Sequence, residues 1–371
     1  MSFRTIETEG PVRLVVVGAG GMGRAWARTI RDSGDAELVG IADLSSAAAE
    51  AAAAETGVPG LALGSDAVGL ARRTGADAIV NATVPEAHHP VTAAALRAGL
   101  PVLGEKPVAA SVAEGLSLAA TAEHTGRLFM VSQSRRYHHS LHRAKRRLET
   151  LGAVGVVAVD FYKAPHFGGF RDEMASPLLL DMAIHQFDMA RFLLDADPVS
   201  VSCEEYNPPW SWYAGDAAAT AVFAMEGGAR FVFNGSWCSP GLETSWNGSW
   251  RISAERGTVL WDGEGEPRAE PDEPGPSADD PGREIAGSLR EFLAALRTGR
   301  EPMGRVHANV MSLAMVEAAI QSASQGKRVA IDDVLARSHE AALAAERDAD
   351  ALAVMKAWPS VRDALSQKEP Q

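Results

Sequence analysis

The sequence predicts an α/β protein in two parts: a doubly wound parallel sheet, then a strand-rich half with antiparallel character. Three observations predict it. Apolar strands alternate with helical stretches from Val12 to Val131, a glycine-rich turn follows the first strand at once, and beyond residue 125 closely spaced strands take over.

Each element has its own justification. Val12–Val17 is a β-branched run, and the Gly-Ala-Gly-Gly-Met-Gly that follows opens a helix at Arg24–Arg31. Glu37–Ala42 is the second strand, ending on Asp43, and Ser45–Glu55 is an alanine-rich helix. Ala76–Asn81 and Pro101–Leu103 read as buried strands separated by a helix from His88 to Ala98. Ala110–His124 is helix and Arg127–Val131 a last strand. Tyr137–Leu148 is a basic amphipathic helix. Strands at Val154–Lys163, Val199–Tyr206, Ala217–Met225, Arg230–Trp237, Ser249–Ala254 and Thr258–Trp261 are joined by glycine-marked turns, which reads as an antiparallel meander. One helix, Leu178–Leu194, interrupts them. Gly263–Gly282 is acidic and rich in proline and glycine, so an exposed loop of low order is expected. Helices at Glu284–Arg297 and His307–Gln325, a strand at Arg328–Ile331 and a helical stretch with a polar tail complete the chain. The expected blocks are a flexible 1–10, a nucleotide-binding 11–132, a substrate and oligomerisation 133–332 and a helical extension 333–371.

Bulk composition narrows the function. With 371 residues there is room for two full cores, and 46% hydrophobic with 22% charged residues is ordinary for a globular protein. A formal charge of −13 argues against a nucleic-acid surface, and Arg143–Arg147 reads as the solvated face of a helix. Two cysteines, Cys203 and Cys238, suit a reducing cytoplasm and make no disulfide framework. The first ten residues lack a secretory pattern, and no apolar run is long enough for a membrane span, so a cytoplasmic protein is expected.

The chemistry-bearing residues follow the same order. Gly18, Gly20 and Gly23 keep the G-x-G-x-x-G spacing, with Gly21 and Met22 inside it. The first glycine permits the tight turn, the second lets backbone approach a pyrophosphate, and the third lets helix and strand pack closely. Asp43, twenty positions on, can bond the adenosine ribose and repels a 2′-phosphate. No arginine stands at 44 or 45, so NAD is expected over NADP, although Ser45 and Ser46 could bond a phosphate; Asp43 could also cap the next helix. Glu105-Lys106-Pro107, after the strand Pro101–Leu103, places an ammonium beside the expected nicotinamide. Asp181 and His185, four apart on one expected helix, share a face. An imidazole suits removal of an alcohol proton as hydride leaves, and Lys106 would stabilise the alkoxide. Asp181 would fix the imidazole or bond a substrate hydroxyl, with Asp188 a structural partner. A third ligand at helical spacing is absent, so no metal is expected.

These pieces together resemble the glucose–fructose oxidoreductase/inositol dehydrogenase (Gfo/Idh/MocA) family. The matching stretches are Gly18–Gly23, Asn81–His88, Glu105–Pro107 and Leu180–Asp188, with Glu291–Pro302 and Ser322–Val329 near the C-terminus. The resemblance implies an N-terminal Rossmann domain and a C-terminal α/β domain on an open, mainly antiparallel sheet. It implies NAD(P)-dependent oxidation or reduction of a sugar, polyol or derivative, with Lys106, Asp181 and His185 at substrate and Thr83, Pro85 and His88 lining the nicotinamide side. The family's glycine run before its helical aspartate is replaced by Ala175–Leu180, and the extension after Asp332 is longer than the family needs.

Lys163, His166 and Arg171, just before the expected helix, are candidate substrate residues with equally open solvent roles. Six of the eight tryptophans lie between Trp210 and Trp261, where one or two could stack on a sugar and the rest pack. A dinucleotide-binding regulator without turnover, and an enzyme that retains NAD for transient oxidation in glycoside cleavage or epimerisation, are the alternatives. The strand aromatics exceed what one helix covers, so a homodimer or homotetramer is expected through a bare sheet face, unless the C-terminal helix folds back over it.

Overall fold

The computed structural model describes residues 3–8, 10–272, 275–277 and 280–365. The chain forms two compact units, one of Met1–Ser134, Gly282–Val310 and Arg337–Gln371, the other of Arg135–Pro281 and Met311–Ala336. The chain therefore returns twice to the first unit after leaving it, where the sequence suggested consecutive blocks.

In the first unit, β1 (Val12–Val17), α1 (Gly21–Arg31), β2 (Ala36–Ala42), α2 (Ser46–Thr56), β3 (Ala62–Gly64), α3 (Ala67–Thr74), β4 (Ala78–Asn81), α4 (Pro85–Arg97), β5 (Val102–Glu105), α5 (Val112–Thr125) and β6 (Phe129–Ser132) alternate. Their sheet has the order β3-β2-β1-β4-β5-β6 with every ladder parallel, the doubly wound arrangement. β3 and α3 were not expected. β3 is three residues of Ala-Leu-Gly, too short and too weak in strand preference to signal itself. α3 is short but well bounded, with Asp66 accepting from Gly69 N and Gly75 ending it in the left-handed conformation. Ser45 caps α2 by accepting from Ala48 N, so the cap is Ser45 and not Asp43. The expected flexible N-terminus is tied down over its described residues: Arg4 N donates to Gly126 O and Ile6 N to Leu296 O, each at 2.9 Å.

The second unit holds α6 (His139–Glu149), β7 (Val154–Tyr162), α7 (Ile184–Leu194), β8 (Pro198–Tyr206), β9 (Ala218–Met225), β10 (Arg230–Ser236), β11 (Ser249–Ala254), β12 (Gly257–Trp261) and β13 (Arg268–Glu270). Later in the chain come α8 (Glu284–Thr298), α9 (Val306–Gln325), β14 (Val329–Ala330), α10 (Ile331–Ala345), α11 (Ala349–Ala357) and α12 (Val361–Leu365). The second sheet runs β13-β12-β11-β7-β10-β9-β8-β14. It is antiparallel except where β7 lies parallel to β10, so β7 inserts between strands that a simple meander would have paired. β13 occupies part of the stretch expected as loop, pairing with β12 at the sheet edge. Residues 273, 274, 278 and 279 of that stretch, and the polar tail 366–371, lie outside the described residues.

One face of this sheet carries the aromatics. Trp261, Trp250, Val159, Phe233 and Ala221 form one cross-strand row, and Val259, Ile252, Val157, Phe231 and Phe223 form the next. All ten are buried. Phe187 of α7 meets Phe223, Phe231 and Phe233 edge-on at centroid distances of 4.9, 5.9 and 5.3 Å. Truncating so central a ring costs about 3–5 kcal/mol. The expectation that these aromatics lie on a bare face is therefore corrected: they are on the covered one. The opposite face carries Val156, Val199, Tyr206 and Val222, all exposed, among Asp160, Thr220 and Asn234.

The C-terminal helices do not fold back over that face. α11 packs on α5 in the nucleotide-binding unit. Glu346 accepts from Ser117 Oγ, Arg97 Nε lies 2.8 Å from Asp348 Oδ2, and Trp358 Nε1 donates to Glu123 Oε2. This second cover explains why α5 buries Leu116, Ser117, Leu118, Ala119, Ala120 and Thr121 in unbroken succession, the mark of a helix enclosed on all sides.

Candidate active site

In the first unit the candidate residues collect at the carboxyl ends of β1, β2, β4 and β5. Gly18 has φ +95° and packs against the next strand, where a Cβ would lie 2.6 Å from Ala82 O. A Cβ on Gly23 would lie 1.7 Å from Gly18 O, so only glycine lets α1 start this close to β1. Gly20 and Gly21 are different: a Cβ on either would meet nothing within 4 Å. That open cradle sits over the start of α1, whose N-cap Gly20 makes no side-chain bond, so its first amides remain available to an anion. A dinucleotide pyrophosphate fits this donor set.

Asp43 is fixed by the same turn. Oδ2 accepts from Ala19 N at 2.7 Å and Oδ1 from Ser45 N at 2.8 Å, and each oxygen keeps a lone pair for a ribose hydroxyl. Leu44 is fully exposed beside it, with Met22 and Val84 exposed nearby in the chain's other strand-end turns. Thr83 donates its hydroxyl to Asn81 Oδ1, and Pro85 opens α4 at its first turn.

Glu105 and His88 turn inward. Glu105 Oε1 accepts from Trp26 Nε1 at 2.8 Å, Oε2 accepts from Lys106 N at 3.3 Å, and burial pushes the carboxyl pKa up. His88 is 2% exposed, with Nδ1 2.7 Å from Pro107 O and Nε2 3.1 Å from Thr83 O. Burial lowers its pKa. These two residues hold the loops that present Thr83 and Lys106. Trp26, which no spacing argument singled out, is the partner that makes Glu105 legible.

In the second unit the helix expected as one piece is two. Leu178–Ala183 is a π-helical turn that runs into α7. Asp181 therefore lies on a widened turn and His185 in the first turn of regular helix, so the i, i+4 argument for a shared α-helical face does not apply as stated. Asp181 Oδ2 accepts from Arg171 Nε at 2.7 Å. His185 is 6% exposed. Lys163 pairs with Glu243 at 2.9 Å beneath the Trp246 ring, and His166 stacks on Trp212 at 3.7 Å.

Behind this face, Asp188 is structural. Arg136 grips it with Nε at 2.6 Å and Nη2 at 2.8 Å, and Ser312 Oγ donates to it at 2.7 Å. Removing one side of such a buried pair costs about 3–5 kcal/mol. Arg136 and Ser312 escaped the sequence reading because they meet Asp188 from distant stretches. Among the tryptophans, Trp237, Trp250 and Trp261 are core, whereas Trp210 is exposed. Cys203 and Cys238 are free thiols.

Residues 12–133 match the model of the oxidoreductase family with an NAD-binding Rossmann fold, and residues 141–260 match the GFO/IDH/MocA C-terminal domain. The chain belongs to this family. Within it, the chain is 26% identical over 348 residues to D-apiose dehydrogenase of Paraburkholderia graminis, covering 87% of this chain and 90% of the relative. It is 35% identical over 198 residues to inositol 2-dehydrogenase 1 of Saccharopolyspora erythraea, covering 52% and 57%. The fold is shared with an oxidoreductase from Agrobacterium radiobacter solved with NAD+, L-tartaric acid and magnesium, at TM-score 0.78 and 20% identity over 87% of this chain and 99% of that one. Family membership makes the first unit an NAD-binding Rossmann domain and the protein an oxidoreductase.

The 1.7 Å approach at Gly23 yields a direct expectation. Gly23→Ala must part α1 from β1 and should abolish detectable NADH binding, whereas Gly21→Ala, in open space, should retain folded structure and bind more weakly. Fluorescence titration with NADH alongside circular dichroism checks both, and full affinity in Gly23→Ala would refute the close-packing argument.

Proposed function

We propose that the protein moves a hydride between NAD and a secondary alcohol or ketone carbon of a sugar, polyol or sugar derivative. The observation that carries this reading is the pairing, in one chain, of an open glycine cradle with Asp43 fixed at its rim and a helical segment bearing Asp181 and His185. Relatives named for D-apiose and inositol support the substrate class.

Gly18, Gly20, Gly21, Met22 and Gly23 would hold the pyrophosphate, Asp43 the adenosine ribose, and Thr83 and Pro85 the nicotinamide end. When bound, NAD supplies the acceptor for the hydride. His185 takes the hydroxyl proton on an imidazole nitrogen and returns it in the reverse direction. The Lys106 ammonium stabilises the negative charge that develops on the substrate oxygen. Asp181 orients a substrate hydroxyl once its carboxylate is free to accept. Glu105 and His88 act through the loops they hold.

NAD is preferred over NADP because a 2′-phosphate would meet the Asp43 carboxylate and the apolar Leu44. Titration of both dinucleotides should give the tighter constant for NAD, and Asp43→Ala should narrow the gap; tighter NADP binding by the wild type would reject the preference.

Lys106→Ala and His185→Ala should each lower turnover by about two orders of magnitude or more while leaving NAD affinity nearly unchanged. Activity assays across a polyol and sugar panel, read by absorbance of the reduced cofactor, test this. Near-normal rates in His185→Ala would sink the proton role.

Self-association is proposed through the face of the second sheet that carries Val156, Val199, Tyr206 and Val222, in a homodimer or homotetramer. Among the described residues no helix is long and apolar enough to cross a membrane. A cytoplasmic location suits the two free thiols. Light scattering at micromolar concentration should give a multiple of 39.1 kDa, falling toward one chain in Val222→Arg. A wild-type mass of one chain would reject this assembly.

A further inference from the structure

The segment that follows β7 carries an arginine whose hydrogen bonding is incomplete in a specific way. Arg171 reaches Asp181 through Nε alone, at 2.7 Å. Among the described residues, neither of its Nη nitrogens has a hydrogen-bond partner. The side chain is 36% exposed, so these donors are open to a ligand. The guanidinium is nevertheless held: its carbon lies 5.4 Å from the Phe167 ring centroid and 4.8 Å from that of Phe170. Both rings are themselves exposed, at 55% and 58%. The guanidinium thus lies over two rings and is anchored through Nε, which leaves its two Nη nitrogens as an open fork.

A planar fork of two Nη groups matches the two oxygens of a carboxylate or phosphate, and no neutral sugar hydroxyl pair matches it in charge. We propose that Arg171 recognises an oxyanion on the substrate, so that the natural substrate is an acidic sugar or polyol carrying a carboxylate or phosphate group. The inference rests on the hydride-transfer reading above and deepens it. Gly168 and Gly169, both at φ +70°, lead into a short 3-10 turn that holds Arg171, closed by Asp172 N donating to Gly169 O and Met174 N to Arg171 O. Lys163 and His166 lie on the same segment; Lys163 pairs with Glu243 at 2.9 Å, and its ammonium lacks the planar two-nitrogen fork that Arg171 presents.

The test uses the whole enzyme with NAD and matched neutral hexose, hexuronate and hexose phosphate in the gluco, galacto and manno series. Within any series that is turned over, an anionic member should exceed the neutral one about tenfold or more in kcat/KM. Arg171→Gln should collapse that ratio toward one, chiefly through KM. Arg171→Lys should restore only part of it, because an ammonium keeps the charge and loses the fork. Preference for the uronate or for the phosphate identifies which oxyanion is read. A neutral sugar as the better substrate, or equal losses on both members in Arg171→Gln, overturns the proposal. Binding is read separately by tryptophan quenching, titrating glucuronate, galacturonate and a hexose phosphate against enzyme with NADH. Affinity no tighter than for glucose, or unchanged in Arg171→Gln, also overturns it. Tight, Arg171-dependent binding without turnover counts against the hydride-transfer reading and leaves the oxyanion site standing.

Discussion

Burying Glu105 beneath Trp26 ties the helix that follows the glycine turn to the strand that delivers Lys106. A carboxyl group this deep is tolerated only with its oxygens bonded, and it finds them in the Trp26 indole and the Lys106 backbone amide. α1, which follows the turn at residues 18–23, is consequently bonded directly to the end of β5. His88 packs its ring between the Thr83 and Pro107 carbonyls, and its neutral imidazole donates its one N–H to one of them, which adds a contact between the loops after β4 and β5. Glu105 and His88 thereby brace the strand-end loops that carry Thr83 and Lys106.

The second unit uses the same division of labour with a different buried charge. Asp188 is gripped by Arg136 and Ser312 on the inward side of α7, and Phe187 locks the helix onto the sheet. Those contacts set the face that α7 turns to the sheet, and the π turn runs directly into it. The widened turn changes which direction Asp181 faces relative to a regular helix, and Arg171 meets it there. A strained or irregular turn survives where surrounding packing over-determines it, and this one is flanked by Leu178, Leu179 and Met182, all buried.

The apolar surfaces also divide by purpose. The aromatic face of the second sheet is buried, with α7 packed on its central phenylalanines and α6 on β12, leaving the opposite face with separated aliphatic side chains among hydrogen-bonded polar ones. The C-terminal helices seal a different surface, the outer side of α5, through Glu346, Asp348 and Trp358. An alanine-rich segment can do this because small side chains let one helix approach another closely, while its few polar residues fix the register.

The Rossmann unit was legible in the chain because its signals are local. A β-branched strand, a glycine turn, a helix and Asp43 fall within about one βαβ span, and Gly18 and Gly23 answer steric demands set by their immediate neighbours. Lys106, Asp181 and His185 stand out in the chain only as residue types suited to proton and charge chemistry. The sequence could not say which sheet face the aromatics occupy, since a period of two is the same for either face. Nor could it place β7 between β11 and β10, set α11 on α5, bring Arg136 to Asp188, or turn Arg171 onto Asp181 with its fork left open. Each of these joins stretches distant in the chain, and such pairings are chosen by packing and buried charge in three dimensions, where no local pattern reports them.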